Sequence, residues 1–575
     1  MSWLAKPRPS LQDATRALTG LGNQVRRWRA RRRTSPMWTV AVAVILATMI
    51  MPIATILVLA LAPHENIWPH LVSSVLPVSL RDTVLLMAGT GALTLAVGTG
   101  TAWLITMYRF PGRALLDRLL VIPLAMPTYI IAYAYVEFLD FAGPVQTGLR
   151  KLLGVTSARD YWFPEIRSLG GAIFVMSAVL YPYVYLTARA SFVQQSVCAL
   201  EVARTLGRSP MGTFWSVALP LARPAIAAGT ALVLMEVLND IGAVQYLGIQ
   251  TLTASIYATW LQRSNLGGAA QLASVMMLFI LALFIIERIA RGGAQIHHTT
   301  GRYRAITFQD IEGARGYLAA ALCSLPFIIG FLVPFTLLAR NAIVFMDEGL
   351  AVGFVTATTN SLLLAGLAAV VATGLALILG YARRVAGNGF VRPAVRLAGL
   401  GYAIPGTVLA LGLLIPLATF DNWLDSLMRS SLGVSTGLLL SGSVFALVLA
   451  YTIRFLAVSL GTIEAGLERI SPNLDAAARA LGASPLSTLL RVHLPILTPA
   501  LGTAALLVFV DGMKELPATL LLRPFNFDTL ATHVYSFAAL EQFEEASLSA
   551  VSIVLVGLVP VLLLHRAVAG ARPGG

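Results

Sequence analysis

Apolar runs of about 20 residues recur along the chain, separated by short polar or charged segments. In the first half they begin near Trp38, Thr83, Arg118, Gly170, Pro224 and Gln271. In the second half they begin near Gly316, Ser361, Pro393, Thr436, Pro499 and Ser549. Runs of this length cross a bilayer as helices, so the pattern predicts an all-α membrane protein of about twelve transmembrane helices.

The series repeats. "VARTLGRSPMGTFWSVALPLARPA" (Val202 to Ala225) matches "AARALGASPLSTLLRVHLPILTPA" (Ala477 to Ala500), and aligning Gly207 with Gly482 gives an offset of 275 residues. "IPLAMPTYI" and "LGYAIPGTV" pair Pro127 with Pro405 at an offset of 278, one small loop difference away. Each unit carries about six spans, and six is even, so both copies enter the membrane in the same orientation as parallel repeats. The expected organisation is a basic N-terminal segment over 1–37, a first repeat over 38–290 and a linker over 291–315. A second repeat over 316–568 and a tail over 569–575 complete it.

The repeated loop has legible mechanics. The stretch from Glu201 to Leu206 is helix-forming, and Gly207 supplies the left-handed residue that ends a helix. Ser209-Pro210 reads as an N-cap followed by proline at the first helical position, and Leu219-Pro220 as the close of a short second helix. Gly482, Ser484-Pro485 and Leu494-Pro495 reproduce the sequence of signals. Two short helices around a tight turn, present twice, suit a docking element better than a generic surface hairpin.

Composition agrees with the membrane reading. The 575 residues are 57% hydrophobic and 12% charged, with a mean hydropathy of +0.78. A soluble chain carries about 25% charged residues. The net charge of +14 does not point to nucleic acid, because the basic residues track alternate loops rather than a soluble domain. "RRWRARRR" precedes the first span, and Arg109, Arg113, Arg118, Arg302, Arg304, Arg383, Arg384, Arg392 and Arg396 fall in every second loop. By the positive-inside rule both termini are cytoplasmic. The first apolar run starts only at Trp38 and is too long for a cleavable signal peptide. Cys198 and Cys323 predict no disulfide, and His297–His298 shows no metal-ligand spacing. None of the three lysines, Lys6, Lys151 and Lys514, follows glycine, so the chain has no phosphate-binding P-loop.

Charged residues nevertheless enter two apolar runs. "MEVLNDIGA" carries Glu236, Asn239 and Asp240, and "VDGMKELPA" carries Asp511, Lys514 and Glu515. A charge at mid-bilayer costs at least ~2.5 kcal/mol, so such residues line water or a partner. The spacing i, i+3, i+4 puts each trio on one helix face, and Gly242 and Pro517 mark a break just beyond. All six are candidates to line a translocation pathway; Asp240 and Glu515 read better as ties between helices, while for Glu236 and Asp511 the pathway and structural readings both stand. Lys514 can neutralise Asp511 or Glu515 as a buried pair. Tyr181, Tyr183 and Tyr185 are phenolic candidates for the pathway, though an interfacial aromatic belt explains them more simply. The mixed segment Leu149–Leu169, with Arg159, Trp162 and Arg167, suits an outward interface.

The loop "EVARTLG…LP" resembles the E-A-A-x-x-x-G…L-P loop of permease subunits in binding-protein-dependent ABC importers. The resemblance implies a type I permease fold duplicated in one chain, with Glu201, Ala203, Gly207 and Pro220 in one ATPase-coupling loop. Asp475, Ala478, Gly482 and Pro495 would form the other, where Ala476 replaces the expected acid and Asp475 stands one position earlier. Stretches such as "SARDYWFPEIRSLGGA" and "DGMKELPATLLLRPFNFDTL" look closest to ferric-iron importer permeases. The implied partners are two ATPase subunits, a periplasmic or extracellular substrate-binding protein and the lipid bilayer, with no nucleic acid. The implied location is the bacterial inner membrane. ATP and magnesium would act on the ATPase, no cofactor on this chain, and iron would meet Glu236 and Asp511 only in passing. Thiamine, polyamine, phosphonate or oxyanion cargo keeps the same skeleton. A proton-coupled secondary transporter is the reading of a different class.

Overall fold

The structure, a computed structural model, describes residues 36–195, 203, 205–291, 308–351, 353–386 and 389–569. The basic segment before the first span, Glu201, Cys198, His297–His298 and the extreme tail lie outside these residues. Among the described residues, eleven helices are long and apolar enough to cross a membrane. A helix pair, Arg113–Ala125 and Thr128–Leu153, is bent by 95° as a broken span or a re-entrant loop, and counted as one span it makes twelve.

The first half contains α1 (Pro36–Leu61), α2 (Leu76–Met107), the bent span with α3 (Arg113–Leu119) and α4 (Thr128–Leu139), α5 (Leu169–Gln194), α6 (Leu219–Asn239) and α7 (Leu266–Arg291). The second half contains α8 (Gly313–Val344), α9 (Phe354–Ala386), α10 (Gly406–Leu432), α11 (Val444–Glu468), α12 (Leu494–Met513) and α13 (Phe543–Ala569). Helices α2, α5 and α6 pack on one another as the core of one half, and α9, α11 and α12 repeat that core in the other. The expected spans are all present, with two local differences.

The proline-marked stops are not stops. Helical backbone runs without interruption over Pro210–Asn239 and over Pro485–Met513. A π turn precedes the proline in each case, Phe214–Ala218 before Pro220 and Leu489–His493 before Pro495. The wider turn absorbs the missing N–H and the ring clash that would end a regular helix. The tenth span begins at Val444 rather than near Thr436. Apolar Leu438–Leu440 extends the hydrophobic run, but the backbone here is a loop, with Gly433 and Gly437 at φ +69° and +61°. Its amides are taken by carboxylates: Asp425 Oδ1 accepts from Thr436 N at 2.8 Å, and Asp421 Oδ2 from Ser441 N at 2.8 Å.

The two halves are interlocked. Helix α1 packs on its own α7 but also crosses α9 and α10 of the other half. Helix α8 in turn packs against α3, α4 and α5 of the first half as well as α13. Glycines permit both crossings: a Cβ at Gly412 in α10 would collide with the backbone of Pro52 in α1, and one at Gly330 with the carbonyl of Ala178. Gly412→Leu should therefore destabilise by about 1–3 kcal/mol through overpacking. Thermal unfolding in detergent should show a lower midpoint for this variant. Gly366→Leu, where a Cβ meets nothing within 4 Å, should leave it unchanged.

Candidate functional site

Helix α6 stops at Asn239 and the chain resumes as the short helix Gly242–Tyr246; α12 stops at Met513 and resumes as Pro517–Leu522. Each interruption frees backbone amides within an apolar span, where unpaired polar groups are costly. One carboxylate serves each break. Asp240 Oδ1 accepts from Ala243 N at 2.8 Å and Val244 N at 3.3 Å, and its Oδ2 accepts from the Thr128 hydroxyl. Glu515 Oε1 accepts from Ala518 N at 3.0 Å, and its Oε2 from Thr519 N at 3.1 Å and Thr519 Oγ1 at 2.8 Å. Arg454 Nη1 adds an ion pair to Glu515 Oε1 at 2.9 Å. Asp240 and Glu515 are 7% and 4% exposed and act as N-terminal caps of the resumed helices.

The other members of the first trio reach across to the second half, and those of the second pair with each other. The Tyr402 hydroxyl donates to Glu236 Oε1 at 2.9 Å, and the backbone N–H of Gly406 donates to Asn239 Oδ1 at 2.8 Å. Lys514 Nζ stands 2.9 Å from Asp511 Oδ1. All six residues line one cavity of about 100 Å³, with Tyr129, Tyr183, Tyr402 and Arg454 completing its polar wall. Pockets enclosing small organic ligands run to about 300–1,000 Å³, so this volume suits a few waters or a bare ion. Its formal balance is negative, four carboxylates against Lys514 and Arg454. Among the described residues, no group of three or more His, Cys, Asp or Glu is placed to hold a metal ion.

The helical spacing brings the six residues together, but their partners divide them. Asp240 and Glu515 are turned to backbone amides, Asp511 to Lys514, and Glu236 alone among the acids is held by a phenol. The tyrosines of α5 are not a lipid-facing belt. Tyr181 and Tyr185 are 1% and 0% exposed, Tyr185 donates to Asp117 Oδ1 at 2.7 Å, and Tyr183 lines the cavity. Arg454 and Tyr402 were not legible as site residues. Arg454 is a charge inside an apolar run, the signal that singled out Glu236, but no repeat partner accompanies it.

In the two loops the glycine turns and the serine caps form as expected. Gly207 and Gly482 have φ of +79° and +78°, and Ser209 and Ser484 accept from Gly212 N and Ser487 N at 3.1 and 3.2 Å as helix caps. Ala203 and Ala478 are buried. Pro220 and Pro495 sit at the starts of α6 and α12. Asp475 is committed within the chain: Arg384 Nη2 reaches its Oδ2 at 2.7 Å and His493 Nε2 its Oδ1 at 2.7 Å. Arg384 also donates to the carbonyl of Ile470 at 2.9 Å, so this pair fixes the helix Pro472–Ala480 to the end of α9. In the outward segment Trp162 is 85% exposed, while Arg167 is tied to Glu541 at 3.1 Å and lies 4.9 Å over the Tyr246 ring.

Residues 92–291 match the family model of the inner membrane component of binding-protein-dependent transport systems. Over these residues, about a third of its length, the chain is similar to permeases of this class. An Fe(3+)-transport system permease protein of Haemophilus influenzae is 28% identical over 491 residues, 85% of this permease and 89% of that protein. A probable ABC transporter permease protein of Sinorhizobium fredii is 26% identical over 529 residues, covering 86% and 88%. The molybdenum transport system permease protein of Escherichia coli K12 is 27% identical over 205 residues. That match spans 86% of the shorter protein but 34% of this permease, as a single-unit relative of a doubled chain would. The chain is thus a multi-pass inner-membrane transport subunit rather than a catalytic enzyme.

The geometry separates caps from lining. Asp240→Ala and Glu515→Ala should each lower stability by about 1–2 kcal/mol or more, as cap loss and stranded amides require. Glu236→Gln, which keeps a partner for Tyr402, should leave the thermal midpoint in detergent nearly unchanged.

Proposed function

We propose that this permease passes ferric iron inward, driven by two separate ATPase subunits and supplied by a substrate-binding protein outside the membrane. The observation that carries the cargo is the central cavity, small, oxygen-lined and net negative, drawn from both halves. Fe(III) is a hard cation, and carboxylate and phenol oxygens are apt contacts for it. The Haemophilus relative named for Fe(3+) transport, aligned over 85% of this chain, supports the same cargo. Relatives named for molybdenum or 2-aminoethylphosphonate transport align over 34% each.

Both termini and the two glycine-centred loops belong on the cytoplasmic side, where the basic loops put them. There the turns at Gly207 and Gly482 would seat in the ATPase subunits, which bind ATP and magnesium. Outside, exposed Trp162 and Arg159 would meet the binding protein, while Arg167 holds the two halves together. Glu236 and Asp511 would contact the ion transiently, since a conducting site must bind weakly enough to release.

Reconstitution of the permease with its ATPase and binding protein into vesicles tests the reading. ATP-dependent uptake of labelled iron is the expected result; uptake of an oxyanion instead, or uptake driven by a proton gradient without ATP, would replace it. Glu236→Gln with Asp511→Asn should cut iron uptake at least ~tenfold, the scale of losing charged contacts worth about 1.4 kcal/mol or more. Stimulation of ATP hydrolysis by the loaded binding protein should persist. Gly207→Val or Gly482→Val forces a β-branched residue to positive φ, a strain of about 1–3 kcal/mol. Copurification of the ATPase should fall in these variants while the permease still inserts.

A further inference from the structure

The two helix breaks are built alike but differ at two positions around the capping acid. At the repeat offset of 275, Val179 stands where the second half has Arg454, and at the offset of 278, Thr128 stands where it has Gly406. In the first half the Thr128 hydroxyl completes the shell of Asp240, and no ion pair reaches that carboxylate among the described residues. In the second half the seat is vacated: a Cβ at Gly406 would lie 2.7 Å from Arg454 Nη1, so the missing side chain makes room for the guanidinium. Glu515 already accepts from two backbone amides and a threonine hydroxyl, the kind of shell that suffices for Asp240. Arg454 is therefore more than the helix break requires. It is 8% exposed, lines the central cavity, and its Nε has no hydrogen-bond partner.

A buried guanidinium costs desolvation, and here its return is the charge it sets in the cavity. Without it four carboxylates would face one cation, Lys514. With it the second-half wall is compensated, and on the first-half wall Asp240 is turned to backbone amides while Glu236 keeps only the Tyr402 hydroxyl among the described residues. We propose that Arg454 is a selectivity and release residue, whose fixed charge keeps the pathway's carboxylates from trapping a multiply charged cation in transit. The inference rests on the reading that ferric iron is the cargo.

The test compares wild type, Arg454→Gln and Arg454→Lys in the complete reconstituted complex. It measures iron uptake and the iron that stays with the permease after gel filtration. Glutamine keeps a donor for Glu515 and removes the charge. One unit charge several ångströms away at an effective dielectric of about 20 is worth roughly tenfold or more. For Arg454→Gln we expect uptake to fall and retained iron to rise by about that factor. Arg454→Lys, which keeps the charge, should stay near wild type in both. Unchanged uptake in Arg454→Gln, or lost uptake without retained iron, would overturn the proposal. Loss of both variants from the membrane would overturn it too, by making Arg454 a requirement of the fold. Wild type that carries an oxyanion and no iron would instead defeat the cargo assignment, and this inference with it.

Discussion

A helix that breaks inside a bilayer must satisfy the amides it frees, and that constraint organises the centre of this permease. Asp240 and Glu515 meet it from within their own chains, each accepting from the first turn of the helix that follows. In the first half, where Asp240 is consumed by this task, its trio partners are the ones that meet the opposite half. Glu236 and Asn239 reach Tyr402 and Gly406, so the cavity wall and the contact between halves are made by the same turn of helix.

The interlocking of the halves follows a similar logic. With no hydrophobic drive between apolar helices in lipid, close packing through small residues decides which helices associate. Gly412 and Gly330 let α1 and α8 approach backbone to backbone across the pseudo-repeat boundary, so neither half closes without the other's first helix. A displacement at the glycine-centred loops can thereby reach the centre through continuous helix. Pro210–Asn239 and Pro485–Met513 run unbroken from the glycine turns to the acids, because π turns carry the backbone past Pro220 and Pro495.

Duplication has been followed by divergence at the points that carry charge. Asp475 is tied by Arg384 and His493, which anchors the second loop to α9 rather than leaving an acid free for a partner. Arg454 has entered one helix break and not the other. The shared frame of the repeat preserves geometry, while the electrostatics of the two halves differ.

Much of the fold was legible in the sequence, because membrane spans are set by length and hydropathy, local quantities that need no knowledge of neighbours. The repeat, the glycine turns with their serine caps, and the shared face of each charged trio follow likewise from spacing. What the tertiary structure decided were the partners. Whether Pro220 ends a helix depends on whether a π turn absorbs it, and Leu438–Leu440 joins a loop because Asp421 and Asp425 claim the amides around it. Spacing placed Asp240 and Glu236 on one face; only the fold assigned one to a backbone and the other to a phenol 166 residues away. Arg454 is the sharpest case. An arginine in an apolar run states a cost, but its function depends on the seat that Gly406 vacates, which is a fact of packing between helices distant in sequence.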